Sequence, residues 1–405
     1  MKIKLKETVL ATTAMLALAG CGGGDGGISG SGAIANGTMN LSITDAPACG
    51  YDHVYLTVDR VRVHQSATAV DGDTGWSEVA LNPAKRIDLL TLTNGVLDTL
   101  GQTSLPAGKY TQMRLVLAQN PSTGPLANSL VLTTAPNSEV ALTTPSAQQS
   151  GIKLNVNMDV LAGTVADFVI DFDACKSIVK RGNSGQYNLK PVVAVIPFVR
   201  DAGMKVEGYV DPSMALATTH VSLQANGVPI KATVPFAPIT PDATTGKFVL
   251  YPVPVGSYDL VVTAAGRVTA VMTGVPVASS AVTTVNSITT RIVTPTANMR
   301  VVNGTVNPAT ATVRALQALT GGPTIEVAWG LVDDLAIPLP TFTFSLPIEA
   351  PVKTAYVANP TSLTFVADTA AAGNYTIEAS SSGALKTQLI DVKATVLPAL
   401  AFTFP

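Results

Sequence analysis

The stretch Met39 to His64, MNLSITDAPACGYDHVYLTVDRVRVH, decides the fold class. Met39, Leu41 and Ile43 alternate with Asn40, Ser42 and Thr44, the period of two expected of a strand with one buried face. A Thr-Asp-Ala-Pro turn follows, and Val54, Leu56 and Val58 resume the same period. The apolar phase then shifts to Val61 and Val63. One extra residue flips every later side chain to the other face, so a β-bulge is predicted near Asp59-Arg60.

The pattern continues outward. KYTQMRLVLA puts Thr111, Met113, Leu115 and Leu117 on one side, and VADFVIDFDA does the same with Ala166, Phe168, Ile170 and Phe172. LKPVVAVIPFV, Leu189 to Val199, is a nearly continuous apolar run. Only Arg86 to Leu100 could hold a short helix, so residues 38–200 read as an all-β domain. The 405 residues exceed one compact core and suggest two to four domains. Only 13% of residues are charged, while Val, Thr, Ala, Gly and Pro abound, which suits short strands joined by turns. With a net charge of -2 there is no basic field to draw in a phosphate backbone, which disfavours nucleic acid as a partner.

Three segments of this region, MNLSITDAPACGYDHVYLTVDRVRVH, LPAGKYTQMRLVL and DFDACKSIVKRGNSGQYNLKPVVAV, carry a T-D-A-P turn, an L-P-A-G-x-Y strand start and an F-D-A-x-x-S-I-V segment leading to L-K-P. They resemble an uncharacterised bacterial lipoprotein family, a domain of unknown function. That resemblance implies a secreted β-sandwich and no established activity. Residues 201–294, with VEGYVDP and FVLYPVPVGSYDLVV, resemble the carboxypeptidase-regulatory-like, transthyretin-like sandwich, in which Gly256 tightens the turn that carries Tyr258 into its strand. A second, divergent copy spans 295–405. Its Gly304 follows Gly208 by nearly the ~100 residues of one sandwich. The copy departs from the pattern at Val352 to Ala371, which separates its F-x-L strand from its G-x-Y strand. The expectation is three tandem β-sandwiches.

The amino terminus combines Lys2, Lys4 and Lys6 with an apolar run from Val9 to Ala19, too short to span a bilayer. Leu18-Ala19-Gly20-Cys21 resembles the bacterial lipobox, which implies a signal peptide over 1–20 and a lipidated Cys21. An ordinary signal peptide that happens to abut a cysteine is the alternative. Residues 21–37 then form a Gly-rich tether whose ends lie on the order of 20 Å apart. Several acyl chains, each buried methylene adding about 0.8 kcal/mol, would hold the chain to a membrane without spanning it. Resemblance to Gram-negative lipoproteins, with Gly22 after the cysteine, implies the outer membrane.

Assigning Cys21 to lipid leaves Cys49 and Cys175. An oxidising compartment favours their disulfide over two separate buried thiols. Closing so long a loop would contribute roughly 4 to 5 kcal/mol in the chain-entropy account. G-x-S-x-G, H-E-x-x-H and G-x-x-x-x-G-K-[ST] are all absent, so the commonest nucleophilic, zinc and phosphate chemistries lack their motifs. His53, His64 and His220 read as strand-face residues. Asp171 and Asp173, on the polar face of one strand, could meet Asp45 from the T-D-A-P turn and hold calcium through hard oxygens. The competing reading has Asp45 bonding backbone amides while the pair faces water, Lys176 or Lys180. Trp76, in the polar stretch DGDTGWSEV, could be an exposed platform for a sugar, whereas Trp329 alternates like core.

Taken together these features point to a lipid-anchored, non-enzymatic envelope protein that binds, adheres or scaffolds, with an envelope protein or glycan as partner. The rival readings are an envelope hydrolase using Asp45, Asp171 and Asp173, and a carbohydrate-binding module.

Overall fold

A computed structural model describes residues 35–45, 50–144, 147, 150–181, 184–198, 203–214, 218–235, 245–330, 332–333, 336 and 338–405. The expected signal peptide, Cys21, most of the tether and Cys49 lie outside the described residues.

The first region runs β1 (Asn36–Asp45), β2 (Tyr51–His64), β3 (Ser77–Asp88), β4 (Asp98–Pro106), β5 (Gly108–Leu117), β6 (Ser129–Leu132), β7 (Glu139–Thr143), β8 (Ile152–Val160), β9 (Val165–Phe172), helix α1 (Ala174–Ser177), β10 (Ile178–Arg181), β11 (Gln186–Leu189) and β12 (Val193–Phe198). One sheet has the order β12-β9-β1-β4, with β1 and β9 parallel. The facing sheet has the order β10-β11-β7-β6-β2-β5-β8, with β3 also on β2. Met39, Leu41 and Ile43 from one sheet meet Val54, Leu56 and Val58 from the other in a single core.

The expected bulge is present. The register of β2 shifts between Val58 and Arg60 against both β3 and β5, and Val61 and Val63 thereby reach the same core as Val58. All three are fully buried, and each contributes about 1.5–3 kcal/mol through removal from water. The Arg86 to Leu100 segment holds one 3-10 turn, Leu89–Leu92, capped by the Asp88 carboxylate. Helix α1 was not foreseen. It starts because Asp173 accepts a bond from the Lys176 backbone N–H at 3.0 Å, the role of an N-cap.

The second sandwich comprises β13 (Lys205–Tyr209), β14 (His220–Ala225), β15 (Val228–Thr233), β16 (Lys247–Leu250), β17 (Gly256–Thr263), β18 (Ala270–Val277) and β19 (Val282–Thr284). The chain then runs β20 (Met299–Asn307), β21 (Thr312–Ala318), β22 (Thr324–Gly330), β23 (Val332–Asp333), β24 (Thr341–Pro347), β25 (Val352–Ala355), β26 (Val366–Ala367), β27 (Asn374–Ser381), β28 (Ala384–Asp391) and β29 (Leu400–Thr403), of which all but β25 and β26 build the third sandwich. Their pairings correspond strand for strand. Sheets ordered β16-β13-β19 and β15-β14-β17-β18 in one match β24-β20-β29 and β22-β21-β27-β28 in the other, with β23 added at an edge. The central strands of the smaller sheets, β13 and β20, carry Gly208 and Gly304. A Cβ at Gly304 would come within 2.2 Å of Phe342, so each core closes over a bare backbone there.

One local device recurs in all three sandwiches. The Tyr110 hydroxyl donates to the Pro106 carbonyl at 2.9 Å, Tyr258 to Pro254 at 2.8 Å, and Tyr375 to Pro347 at 2.7 Å. In the first two the pair lies within Pro-x-Gly-x-Tyr. In the third, Ile348 to Ala371 separates Pro347 from Ala372-Gly373-Asn374-Tyr375. That insertion contains β25 and β26, and they join the second sandwich: β25 runs parallel to β18, and β26 pairs with β25. Val352 enters the second core.

Further contacts join the sandwiches. Val261 and Val271, on the outer face of the second, pack against Leu319, Ile325 and Ala371. Val169, Ile196 and Phe198 of the first pack against Met204, with Tyr251 alongside.

Candidate functional site

The joints between sandwiches leave an open cleft with three lobes of about 360, 430 and 300 Å³. Among the described residues only Lys176 and Trp329 border all three lobes. Lys176 is presented by α1 of the first sandwich and Trp329 by β22 of the third. The ammonium stands 4.7 Å from the indole centroid, a cation–π distance. It also bonds Glu326 at 3.1 Å and lies 3.8 Å from Asp173. Glu326 is shared with Arg314 at 3.4 Å, and Arg314 bonds Glu378 at 2.5 Å. The second sandwich contributes Lys231, whose ammonium is 2.5 Å from Asp171.

Uncharged groups complete the joint. The Gln224 side-chain amide accepts from the Glu326 N–H and donates to the Glu326 carbonyl, both at 2.8 Å, as a neighbouring strand would. Arg314 donates to the Gly227 carbonyl at 2.8 Å, and Lys190 donates to the Thr310 carbonyl. Burial lowers the proton affinity of Lys190. The walls of the cleft are therefore braced from all three sandwiches, a geometry that presents a ligand with fixed rather than mobile side chains.

The three expected calcium ligands do not form such a site. Asp45 is fully buried, and its Oδ1 accepts from the Ala174 N–H at 2.9 Å. Burial pushes its carboxyl well above the usual range, against the pull of that bond, and Asp173 and Asp171 add to the rise. Asp173 has left the strand to cap α1, so the expected alternation with Asp171 is broken; burial raises its carboxyl too. Asp171 is committed to Lys231. Among the described residues no group of three or more His, Cys, Asp or Glu side chains is placed to hold a metal ion. Asp45 thus bonds a backbone amide, and this long-range bond ties β1 to α1.

Both tryptophans are partly buried and carry cations over their rings. Trp76 is half-buried in the loop between β2 and β3, with its indole N–H donating to the Val70 carbonyl at 2.9 Å. The guanidinium carbons of Arg62 and Arg114 lie 4.6 and 4.7 Å from its centroid. Its ring is thus used to shelter two cations, one of which, Arg114, is buried. Trp329 does not enter the core of its sandwich and instead lines the cleft. Its sequence signal, an apolar alternation in IEVAWGLV, cannot distinguish a core from a face covered by a neighbouring domain.

The histidines sit on strands as expected. His53 bonds Asp88 at 2.6 Å and stacks on Tyr55 with centroids 5.3 Å apart; that carboxylate comes from β3 and was not foreseen. His64 bonds the Thr74 carbonyl at 3.0 Å. His220 opens β14 and borders the smallest lobe, where burial lowers its proton affinity. Among the described residues no helix is long and apolar enough to cross a membrane.

Residues 36–191 match the family model described as Domain of unknown function (DUF4382). That match covers the first sandwich up to the residue after Lys190 and agrees with an uncharacterised domain over this part of the chain. No curated protein matches the chain. Among solved structures, a chain from a type II cohesin–X-dockerin complex of Acetivibrio cellulolyticus, a C-terminal interface mutant, is 22% identical at a TM-score of 0.18. The alignment covers 24% of this chain and 59% of that one, less than two thirds of its length. A similarity at that level carries no argument about fold or activity.

Proposed function

We propose that this protein is a lipid-anchored, non-enzymatic binding module of the bacterial envelope, held to the outer membrane through Cys21, with the cleft between its sandwiches as the binding site. The observation that carries the reading is the convergence of three rigid domains on Lys176 and Trp329. Pockets of a few hundred cubic ångströms between domains, lined by an aromatic and a few fixed charges, are where ligands are commonly held. The lipobox-like Leu18-Ala19-Gly20-Cys21 supports the anchor. The second and third sandwiches are read as carboxypeptidase-regulatory-like, supported by their G-x-V and G-x-Y strands and by their common strand order. Cys49 is proposed as the disulfide partner of Cys175, supported by the even pair left after Cys21.

The test uses the full chain. Wild type, Cys21→Ala, Trp329→Ala and Trp76→Ala are expressed in a Gram-negative host, fractionated, and the solubilised proteins presented to a glycan array. Cys21→Ala should leave the membrane fraction. Any ligand retained by wild type should be retained by Trp76→Ala and lost by Trp329→Ala. A Cys21→Ala protein that still fractionates with membranes refutes the anchor. Binding indifferent to Trp329 refutes the site.

A further inference from the structure

Resting on the reading of the cleft as a binding site, we propose that its first lobe takes an acidic saccharide, with a sugar ring against Trp329 and its carboxylate or phosphate held by Lys180 or Lys190. The argument begins with which charges are already matched. Around the second lobe every cation has a carboxylate: Lys231 has Asp171, Arg314 has Glu378, and Lys176 has Glu326. The first lobe is different. Lys180 and Lys190 also border it, and among the described residues neither forms an ion pair; Lys190 is held only by the Thr310 carbonyl. Among the described residues Asp333 is the one carboxylate on that lining. Among the described residues the cations of the second lobe are matched and two lysines of the first are not. Two lysines without carboxylate partners on the lining of a partly enclosed lobe favour an anionic occupant through charge-assisted hydrogen bonds.

A flat surface accompanies that charge. Trp329 is half-exposed in the lobe, and Tyr51 and Tyr187 line it while packing edge to face, with centroids 6.3 Å apart. Lys176 stands over the Trp329 ring at 4.7 Å, so a sugar would use the part of the indole left exposed beside that ammonium. An acidic peptide would share the charge but usually docks by adding a strand to a free sheet edge. β10, the terminal strand of the large sheet and one wall of this lobe, has β23 of the third sandwich close by in a separate sheet, so an added strand would meet that neighbour. Recognition in the lobe falls to side chains, which suits a sugar.

Titration calorimetry on the full, detergent-solubilised protein would use tetragalacturonic acid, glucose 1-phosphate, neutral cellotetraose and hexaglutamate as probes. At least one acidic sugar should bind at least tenfold more tightly than cellotetraose, and which one identifies the anionic group. Raising the salt concentration should weaken that binding. Lys180→Gln/Lys190→Gln, with an unchanged melting temperature, should lose at least tenfold in affinity. The acidic-sugar assignment is overturned if cellotetraose binds equally well and Trp329→Ala abolishes it, an outcome that leaves the cleft as the site. It is also overturned if hexaglutamate binds as tightly as the sugars, or if the double variant binds like wild type. Binding of none of the probes overturns the assignment as well, and the cleft reading then rests on the glycan array alone.

Discussion

The second and third sandwiches share a strand order, a central glycine and a tyrosine that bonds a proline carbonyl, yet they differ in how that bond is reached. In the second, Pro254 and Tyr258 are four positions apart, and the turn makes the bond by itself. In the third, Ile348 to Ala371 intervenes between Pro347 and Ala372, and the bond is nevertheless made, at 2.7 Å. The contrast shows that the proline–tyrosine contact belongs to the folded sandwich and not to the local chain. It also shows what the insertion is free to do. The third sandwich closes without it, so its strands extend the sheet of the second, and Asp368 secures it by accepting from Lys353 at 2.9 Å and from the Thr320 N–H at 2.7 Å.

The largest effect that could break this comparison is expected from deleting Ile348 to Ala371, which would leave Pro347-Ala372-Gly373-Asn374-Tyr375, the same form as Pro106-Ala107-Gly108-Lys109-Tyr110. The third sandwich should still fold. Loss of Val352 from the second core and of Ala371 from the joint should cost roughly 2–5 kcal/mol and split calorimetric unfolding into separate transitions. An unchanged single transition would show that the insertion joins nothing.

A smaller effect is expected from Tyr258→Phe and Tyr375→Phe. Each leaves a proline carbonyl without its donor, a loss of about 1–3 kcal/mol by chemical denaturation. The loss should be at least as large for Tyr375, which is the more buried. A neutral Tyr375→Phe would make the long-range bond incidental and the likeness of the sandwiches superficial.

The mildest test is of pH. Burial alone would raise the Asp368 carboxyl, but bonds from Lys353 and Thr320 outweigh it and hold the group below its ordinary 3.8. A carboxyl held low when folded contributes stability that is full above the unfolded value and fades as pH falls through the native one. Asp368→Asn should therefore melt below wild type at pH 7, and the gap should narrow below about pH 4. A gap independent of pH would remove Asp368 from the clasp.

Much of the fold was legible because strands with one wet face write their burial into the chain. Val58 and Val61 reveal a bulge since only an extra residue lets both reach one core. Helix α1 was hidden because four residues show no period, and Asp173, read as a strand residue, is its cap. The site was scarcely legible. Trp76 sits among polar neighbours yet is covered by Arg62 and Arg114, which arrive from β2 and β5. Trp329 sits among apolar neighbours yet lines a cleft made by other domains.

Local pattern by itself determined the all-β class, the bulge and the two contiguous Pro-x-Gly-x-Tyr turns, because side-chain period and turn chemistry act over a few residues. Only the tertiary structure decided that the inserted strands belong to the neighbouring sheet, that Asp45, Asp171 and Asp173 take separate partners, and that Lys176 meets Trp329. Those outcomes depend on which faces of separate domains are brought together, and ion pairs and packing across such joints leave no periodic trace in any one segment.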